Sequence, residues 1–359
     1  MLLSLKKYSF RKFRELETKI HELNYLFWEC TTRCNLNCLH CGSDCSKDSL
    51  HKDMPVNDFL QAIDTIKSIP QNFTVIFTGG EPLLRNDLEF CGKELRKRGF
   101  KWSIVSNGHL YNKERHISLL NAGIGALTFS LDGLEESHNW LRNNRHSFEK
   151  VINAIELVSA SNRINFDIVT CVNQRNINEL EQIRELLISK NVKAWRLFTI
   201  IPIGRATHNS NLSLTDKQFV ELMEFITKNR KSKEIDLKFS CEGYVGQYEP
   251  YVRNSFFFCR AGINIGSILI DGSISACPNI DRTFFQGNIY KDNFYDVWEN
   301  KFQPFRNREW NRVGQCESCS DYKDCNGNGF HNWHGDKKNV LVCHNEKIEK
   351  ATKCQHPRI

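Results

Sequence analysis

The sequence has 359 residues and lacks any apolar run of about 18 residues or more, so it predicts no membrane-spanning helix. It also lacks a signal peptide, because the apolar part of residues 1–7 is too short, and we therefore expect a cytoplasmic protein. Hydrophobic residues make up 40% and charged residues 25%, which is typical of a globular protein and excludes a mostly disordered one.

The chain also lacks a strong charge of either sign. Its 49 Lys and Arg against 42 Asp and Glu leave a net charge of +7. This mild excess permits an acidic partner such as an electron-donor protein, but it is a weak argument for nucleic acid, which we do not expect to bind. Part of the excess lies in residues 1–23, which we predict to form a basic helical extension.

Fifteen cysteines are the unusual feature of the composition. Without an export signal, and with an odd count, a disulfide framework is disfavoured and bound metal is favoured. The cysteines are concentrated near both ends of the chain, at Cys30, Cys34, Cys38, Cys41 and Cys45 and again at Cys316, Cys319, Cys325 and Cys343.

Residues 24–235 alternate between β-rich apolar runs and amphipathic helical stretches, which predicts an α/β fold with a parallel sheet. Six such units are too few for the usual closed barrel of about eight, so a partial barrel and an open sheet are the alternatives. Residues 236–359 lack this alternation and predict a small cysteine-rich second domain held partly by metal. The predicted strands are 25–30, 73–78, 102–106, 126–131, 164–172 and 194–201.

The segments that follow the predicted strands are rich in glycine and polar residues. Ligands of parallel α/β folds bind at the carboxyl ends of the strands, so we expect the ligand site there. The residues at these ends are Gly79, Gly80, Glu81 and Pro82 after the second strand, Ser106 and Asn107 at the third, and Ser130 and Asp132 at the fourth.

Cys34, Cys38 and Cys41 follow the first predicted strand with the spacing C-x3-C-x2-C. Three thiolates on one loop can hold three irons of a [4Fe–4S] cluster, and the fourth iron then stays open to a substrate or cofactor. Cys30 and Cys45 are each candidates for a fourth thiolate, which would saturate the cluster. A structural zinc site is the alternative, although zinc usually takes four ligands in paired C-x2-C arrangements.

The triplet, followed by Gly79-Gly80-Glu81-Pro82, resembles the radical S-adenosylmethionine (SAM) superfamily over residues 24 to about 235. The resemblance implies a partial (β/α)6 TIM-like barrel, in which Cys34, Cys38 and Cys41 bind a [4Fe–4S] cluster whose open iron chelates SAM. Reductive cleavage of SAM then yields a 5′-deoxyadenosyl radical that abstracts hydrogen from the substrate. The cofactor-binding residues implied are Gly79, Gly80, Glu81 and Pro82 at the SAM amino group, Ser106 and Asn107 near the cofactor, Ser130 and Asp132 near its ribose, Arg142 at its carboxylate and His40 near its adenine.

The C-terminal region resembles a SPASM domain. The matching residues are Cys259, Gly272 and Cys277 in its first half, and Cys316, Cys319, Cys325 and Cys343 in its second. The resemblance implies that the last four ligate one auxiliary [4Fe–4S] cluster and that Cys259 and Cys277 contribute to another. A further family cysteine falls at Gly329 here, so this first auxiliary site is incomplete unless Cys241, Cys354 or His331 substitutes. We therefore predict at least one auxiliary cluster.

Cys241 has a second interpretation, because it lies just after the predicted barrel. A thiol near the cofactor is a candidate catalytic hydrogen-atom donor to a substrate radical. Cys91 and Cys171, on a helix and a strand, are predicted to be ordinary buried thiols.

SPASM-type members mostly modify peptides or proteins. The resemblance therefore predicts a radical SAM oxidoreductase that matures a ribosomally made peptide or a protein and takes electrons from a flavodoxin- or ferredoxin-type donor. Some members act instead in haem-type or other cofactor biosynthesis, which is the alternative within the class. A non-catalytic zinc protein that binds nucleic acid is the alternative from another class, since it too would use clustered cysteines and a basic pI.

Overall fold

The structure is a computed structural model, and it describes residues 2–49, 51–335, 338 and 340–355. Its strands are β1 (Tyr25–Thr31), β2 (Thr74–Gly79), β3 (Lys101–Ser106), β4 (Ala126–Ser130), β5 (Asn165–Val172), β6 (Ala194–Thr199), β7 (Asp236–Phe239), β8 (Ile265–Ile268), β9 (Ser273–Ser275) and β10 (Gly287–Asn288). Its α-helices are α1 (Leu2–Ile20), α2 (Val56–Ile63), α3 (Leu88–Lys97), α4 (Lys113–Asn121), α5 (Glu135–Arg142), α6 (Ser147–Ser161), α7 (Leu180–Ser189), α8 (Asp216–Asn229), α9 (Glu249–Val252), α10 (Phe294–Lys301), α11 (Gln303–Arg306), α12 (Tyr322–Cys325) and α13 (His344–Gln355).

One sheet of ten strands runs through the molecule in the order β10-β9-β8-β1-β2-β3-β4-β5-β6-β7. Strands β1 to β7 are parallel to their neighbours, and helices connect most of them. The sheet does not close, because β7 and β10 pair on one side only in the described part of the chain. The fold is therefore a partial barrel of α/β type, as predicted.

Large aromatic side chains fill the space between the sheet and its helices. Trp28 stacks on Phe59 of α2 with ring centroids 4.1 Å apart, and both rings are fully buried. Gly92 of α3 lies against Trp102 of β3, where a Cβ would come within 2.3 Å of the indole. Close packing of this kind fixes the strands, and therefore the ends of the strands, relative to one another.

The six predicted strands correspond to β1–β6 within one or two residues at most ends, but the prediction missed how the sheet continues on both sides. On one side, β7 pairs with β6. On the other, β8 pairs in parallel with β1, so the C-terminal region extends the barrel sheet. Alternating periodicity identifies strands, but pairing between residues about 240 positions apart leaves no local pattern to read.

Helix α1 lies against the C-terminal region. Lys7 and Arg11 form ion pairs with Asp324, at 3.0 and 2.8 Å, and Arg14 donates to the carbonyl oxygens of Lys323 and Asp324. The basic residues of α1 thus balance an acidic group and helix carbonyls of α12. Across the described residues, no helix is both long and apolar enough to cross a membrane.

Candidate active site

The predicted cofactor residues meet at the carboxyl ends of β1 to β5, where the sheet holds them close to the cysteine triplet. The loop that carries Cys34, Cys38 and Cys41 follows β1 directly. Backbone and side-chain hydrogen bonds join this loop to the ends of β2 and β3 and to helix α5. The residues predicted for the site therefore lie together at this edge of the sheet.

Gly79 and Gly80 are glycines because the backbone of the cysteine loop lies against them. A Cβ on Gly79 would lie 2.1 Å from the Thr31 carbonyl oxygen, and one on Gly80 would lie 2.0 Å from that of Arg33. The amides of Gly80 and Glu81 donate to these same two oxygens, at 2.7 and 2.9 Å. The glycines thus let β2 hold the start of the cysteine loop by main-chain hydrogen bonds.

Glu81 is fully buried beside this contact. Its carboxylate accepts hydrogen bonds from the Ser106 hydroxyl at 2.8 Å and from the backbone amides of Asn107 and Leu83 at 2.9 and 3.1 Å. Burial raises its pKa, and these donors act in the opposite direction. A carboxylate has about four acceptor positions, so Glu81 is oriented by the chain and keeps acceptor capacity for one more donor, such as an ammonium group. Pro82 begins the short helical turn that follows.

The three thiols of the triplet lie in a pocket of their own, packed with Leu36 and Cys45. Asn107 directs its amide at the Cys34 thiol at 3.9 Å, and the Arg142 guanidinium lies 3.7 Å from the Cys38 thiol. Burial raises the pKa of Cys34 to about 12, whereas a hydrogen bond from Cys45 lowers that of Cys41 to about 6. The donors and the cation are the partners that cluster-bound thiolates require.

Of the two candidates for a fourth thiolate, only Cys45 lies beside the triplet. Cys30 points into the core between the sheet and its helices, where its thiol donates to the Thr78 carbonyl at 3.4 Å. The thiol of Cys45 lies near the backbone carbonyl of Ser43, at 3.8 Å.

Arg142 is held by a buried partner. Its Nε donates to Asp132 Oδ2 at 2.6 Å, while Asp132 Oδ1 accepts from the Cys171 amide at 2.8 Å. Asp132 lowers the energy of the buried guanidinium and helps raise its pKa, so this cation stays charged next to Cys38. Since an Arg side chain has five N–H groups, the guanidinium keeps donors for a ligand carboxylate in addition to these two partners.

His138 supports this pair as a buried structural residue. Its Nδ1 accepts from the Asp132 amide at 2.9 Å, and its Nε2 lies 3.0 Å from the Ser147 hydroxyl. Burial lowers its pKa to about 3, so the ring is neutral in the folded protein. It therefore positions Asp132 rather than transferring protons.

His40 and Ser130 complete the predicted SAM-binding set. Ser130 ends β4, opposite Val169 of β5. His40 lies next to Cys41, and burial lowers its pKa to about 4. Its Nδ1 is buried and has no hydrogen-bond partner in the described chain. A bound molecule would supply the missing hydrogen bond to this nitrogen.

The C-terminal cysteines form a second group of thiols. Burial raises the pKa of Cys316 to about 11 and also raises that of Cys325, and the nearby thiols of Cys319 and Cys343 add to both shifts. The backbone amide of Asn328 donates to the Cys325 thiol at 3.1 Å. This arrangement fits the ligand set that the sequence predicted for one auxiliary cluster.

In the described chain, no set of three thiols is as close together as one zinc ion requires. Thiolates around one tetrahedral zinc lie about 3.8 Å apart, as Zn–S bonds of about 2.3 Å require. Among the described residues, one set of three candidate ligand atoms lies within 4.8 Å of one another, and it belongs to His40, Asp132 and Cys171. No three cysteine thiols in the described chain lie this close together. That one set is next to the Arg142 cation, which disfavours a bound metal ion.

A polar cleft of about 500 Å³ opens between the cysteine loop and the C-terminal region. Its carboxylates are Glu29, Asp44, Asp48 and Asp281, and its cationic or titratable partners are Arg282, His51 and His334. Sequence reasoning missed all of these residues. Glu29 offered a signal, because it is a charged residue in an otherwise apolar strand and is nearly fully buried, accepting from the Ile270 amide.

Two family models match the chain. The model of the radical SAM superfamily matches residues 28–187, and that of SPASM, an iron–sulfur cluster-binding domain, matches residues 259–320. The chain is a radical SAM protein with a SPASM domain. This confirms the family predicted from the cysteine spacing, and with it SAM, a radical SAM [4Fe–4S] cluster and auxiliary iron–sulfur binding as the protein's cofactors.

Relatives of this radical SAM protein span most of its length. It is 25% identical to the AdoMet-dependent heme synthase of Oleidesulfovibrio alaskensis, over 88% of this chain and 84% of that protein. It is 28% identical to the mycofactocin maturase MftC of Mycobacterium tuberculosis, over 84% of this chain and 77% of that one. The relatives are named for different activities, and their similarity does not choose between these activities.

Solved structures share the fold of this radical SAM protein. Streptococcus suis SuiB bound to its precursor peptide SuiA aligns with a TM-score of 0.71 and 17% identity, covering 93% of this chain and 79% of that one. Native anSMEcpe with bound AdoMet aligns with a TM-score of 0.68 and 18% identity, covering 93% and 96%.

Proposed function

We propose that this radical SAM enzyme modifies a peptide or protein that binds in the polar cleft. The observation that carries the proposal is the charge of the cleft. Its lining has four carboxylates and one guanidinium, and Arg282 is itself paired with Asp271 at 3.2 Å. Of the carboxylates, Glu29 is nearly fully buried and Asp44 is paired with Arg205 at 2.7 Å, which leaves Asp48 and Asp281 as the acidic side chains available in the cleft. Asp281 forms an ion pair with His334 at 3.0 Å. Such a surface suits a polypeptide with neutral or basic side chains and repels a polyanion.

The residues around the triplet would hold the cofactors. Cys34, Cys38 and Cys41 would bind three irons, Glu81 would accept from the SAM amino group, and Asp132 and Arg142 would face its ribose and carboxylate. When bound, the cluster and SAM supply one-electron cleavage of SAM and abstraction of a hydrogen atom from the substrate.

The chain itself contributes position and shielding. The Gly79–Gly80 contact fixes the cysteine loop, Ser106 and Asn107 orient Glu81, and the Arg142 cation offsets thiolate charge at Cys38. We expect a flavodoxin- or ferredoxin-type donor to deliver the electron, since such acidic proteins match the net charge of +7.

A haem-type substrate is the second candidate. It is favoured by the heme synthase relative, which aligns over 88% of this chain. A porphyrin that carries several carboxylates would need several cations in the cleft. The cleft offers one guanidinium, Arg282, which Asp271 already pairs, and it also presents the carboxylates of Asp48 and Asp281. The charge balance therefore favours the peptide.

The test supplies both substrate classes to the anaerobically purified holoenzyme with SAM and dithionite. The probes are synthetic peptides of equal length with basic, neutral or acidic side chains, and iron–coproporphyrin III. We expect basic peptides to stimulate release of 5′-deoxyadenosine most and to change mass in a SAM-dependent way. We expect the porphyrin spectrum and mass to stay unchanged.

A charge variant supplies the control. Asp48→Asn removes one exposed carboxylate from the cleft, and we expect it to raise the KM for a basic peptide about threefold relative to a neutral one. Glu135→Gln, at an exposed position outside the cleft, should leave the KM for the basic peptide and the KM for the neutral peptide unchanged. Conversion of the porphyrin with loss of carboxyl mass, and no change in any peptide, would replace this proposal with the second candidate.

A further inference from the structure

The first auxiliary site lacks the cysteine that the SPASM pattern expects at Gly329, and the structure shows what occupies that place. A Cβ on Gly329 would lie 2.7 Å from the carbonyl oxygen of Glu242 and 2.6 Å from Cε1 of His331. Any side chain at this position would therefore displace the backbone that follows β7. The segment that fills this space begins with Cys241, the residue before Glu242.

Further contacts bring Cys259 to the same place. Arg308 donates to the carbonyl oxygens of Asn328 and Cys259, at 2.8 and 3.4 Å, so the backbone next to Gly329 is tied to Cys259. The amide of Asn332 lies 3.5 Å from the Glu242 carbonyl. Residues around 241, 259 and 329 thus converge from three distant parts of the chain.

Two buried cations also reach this region. Arg308 donates to the Cys259 carbonyl oxygen, and Arg253 donates to that of Gly243, two residues after Cys241, at 2.9 Å. The buried cations Arg253 and Arg308 border the group, and the Nε of each is buried without a hydrogen-bond partner in the described chain. Unused N–H donors beside a set of thiols are what the inorganic sulfides of a cluster would satisfy.

We propose that Cys241, Cys259 and Cys277 ligate the first auxiliary iron–sulfur cluster, with Cys241 taking the place of the family cysteine that is missing at Gly329. Three thiolates hold three irons, as in the triplet near the start of the chain, and leave one iron without a thiolate. The Cys277 loop continues into Pro278 and Asn279, which line the polar cleft. The proposal does not depend on the substrate class.

This assignment changes the role predicted for Cys241. A thiolate bound to iron has no S–H bond, so it does not donate a hydrogen atom to a substrate radical. Cys241 is a cluster ligand in this proposal. His331, half-buried next to Gly329, is the competing candidate ligand. The side chain of Cys354, the third candidate from the sequence, lies outside the described residues.

The first test counts iron and sulfide per chain after anaerobic reconstitution. With about four irons per cluster, we expect about twelve in the unaltered protein and about eight in Cys241→Ala, with loss of one component from the EPR spectrum of the reduced protein. Cys91→Ala, which removes a buried thiol of α3, is the matched control and should keep about twelve. About eight irons in the unaltered protein, or about twelve in Cys241→Ala, would overturn the proposal.

Two further measurements separate a lost ligand from a folding defect and from the competing ligand. In the unaltered holoprotein, we expect Cys241 to resist alkylation although it is exposed, and to react once a chelator has removed the iron. Equal reaction before and after iron removal would contradict ligation. If His331→Ala loses about four irons while Cys241→Ala retains them, histidine and not Cys241 completes the site.

Discussion

The two groups of cysteines differ in how the chain brings their thiols together. Near the start, Cys34, Cys38 and Cys41 lie within eight residues on one loop. Near the end, Cys316 and Cys343 are separated by 27 positions, and Cys241 and Cys259 come from still earlier segments. A site on one loop is determined by spacing, whereas a site assembled from distant segments depends on the packing of the whole region.

The two groups of cysteines also differ in how far the rest of the chain encloses their thiols. The N-terminal triplet is enclosed by groups that other strands supply, since Gly80, Asn107 and Arg142 all contact its loop. In the C-terminal group, Cys319 is exposed and Cys316 is buried, so its thiols meet unequal environments. Enclosure suits a site that must shield reactive chemistry from water, and partial exposure suits a site that passes electrons or contacts a substrate.

Cys38→Ala tests this difference most strongly. We expect it to remove about four irons and to abolish SAM cleavage, because a cluster with two thiolates is not held. Cys316→Ala should remove a similar amount of iron but leave SAM cleavage detectable. Iron analysis and chromatography of 5′-deoxyadenosine report both results. Equal loss of SAM cleavage in the two variants would break the functional distinction between the groups.

Gly80→Ala tests whether backbone contact holds the triplet. A Cβ there would lie 2.0 Å from the Arg33 carbonyl, so the cysteine loop must shift. The cluster at the triplet has about four irons, and we expect the variant to lose at least half of them. We also expect the Tm of the holoprotein to fall. Gly125→Ala is the control, since its Cβ would meet its nearest neighbour at 3.5 Å. Normal iron content and Tm in Gly80→Ala would show that the loop does not depend on this contact.

Glu81→Gln tests the role of the buried carboxylate. The variant keeps the shape of the side chain but removes the charge that would pair with the SAM amino group. We expect SAM to bind about 10- to 100-fold more weakly, as loss of a hydrogen bond to a charged group predicts. Equilibrium dialysis measures the Kd, with the exposed Glu135→Gln as the matched substitution. An unchanged Kd would remove Glu81 from the SAM site.

His138→Asn tests, through the pH dependence of stability, whether the histidine that supports the N-terminal site is buried and neutral. The folded-state pKa of His138 is lowered to about 3, so the unfolded chain takes up a proton below about 6.5 while the folded protein does not. Stability is therefore lost as the pH falls, by about 2 kcal/mol between pH 7 and pH 5. Asn keeps an acceptor for the Asp132 amide and does not titrate. Denaturant unfolding should show a smaller loss in the variant, and equal losses would contradict a buried neutral histidine.

Much of the N-terminal site was predictable because its determinants are local. The C-x3-C-x2-C spacing and the Gly-Gly-Glu-Pro segment lie next to strands that alternating burial identifies. The partners of Arg142 were not predictable in the same way. Its contact with Cys38 spans 104 positions and arises from the register of β4 against β5 and from helix α5.

The cleft and the continuation of the sheet were missed for the same reason. Glu29 stood out as a buried charge, but its partner Ile270 is 241 positions away. Short strands such as β8 and β10 carry too few residues to show a periodic pattern.

The sequence by itself determined the family, the parallel α/β fold, the cysteine triplet and the pattern of the C-terminal cysteines, because each depends on spacing between near neighbours. The tertiary structure alone decided that β8 joins β1, that Arg142 lies between Asp132 and Cys38, and that the Glu242 carbonyl lies against Gly329. These contacts join residues many turns and strands apart, and their free energy comes from packing the whole sheet and its helices rather than from any one segment.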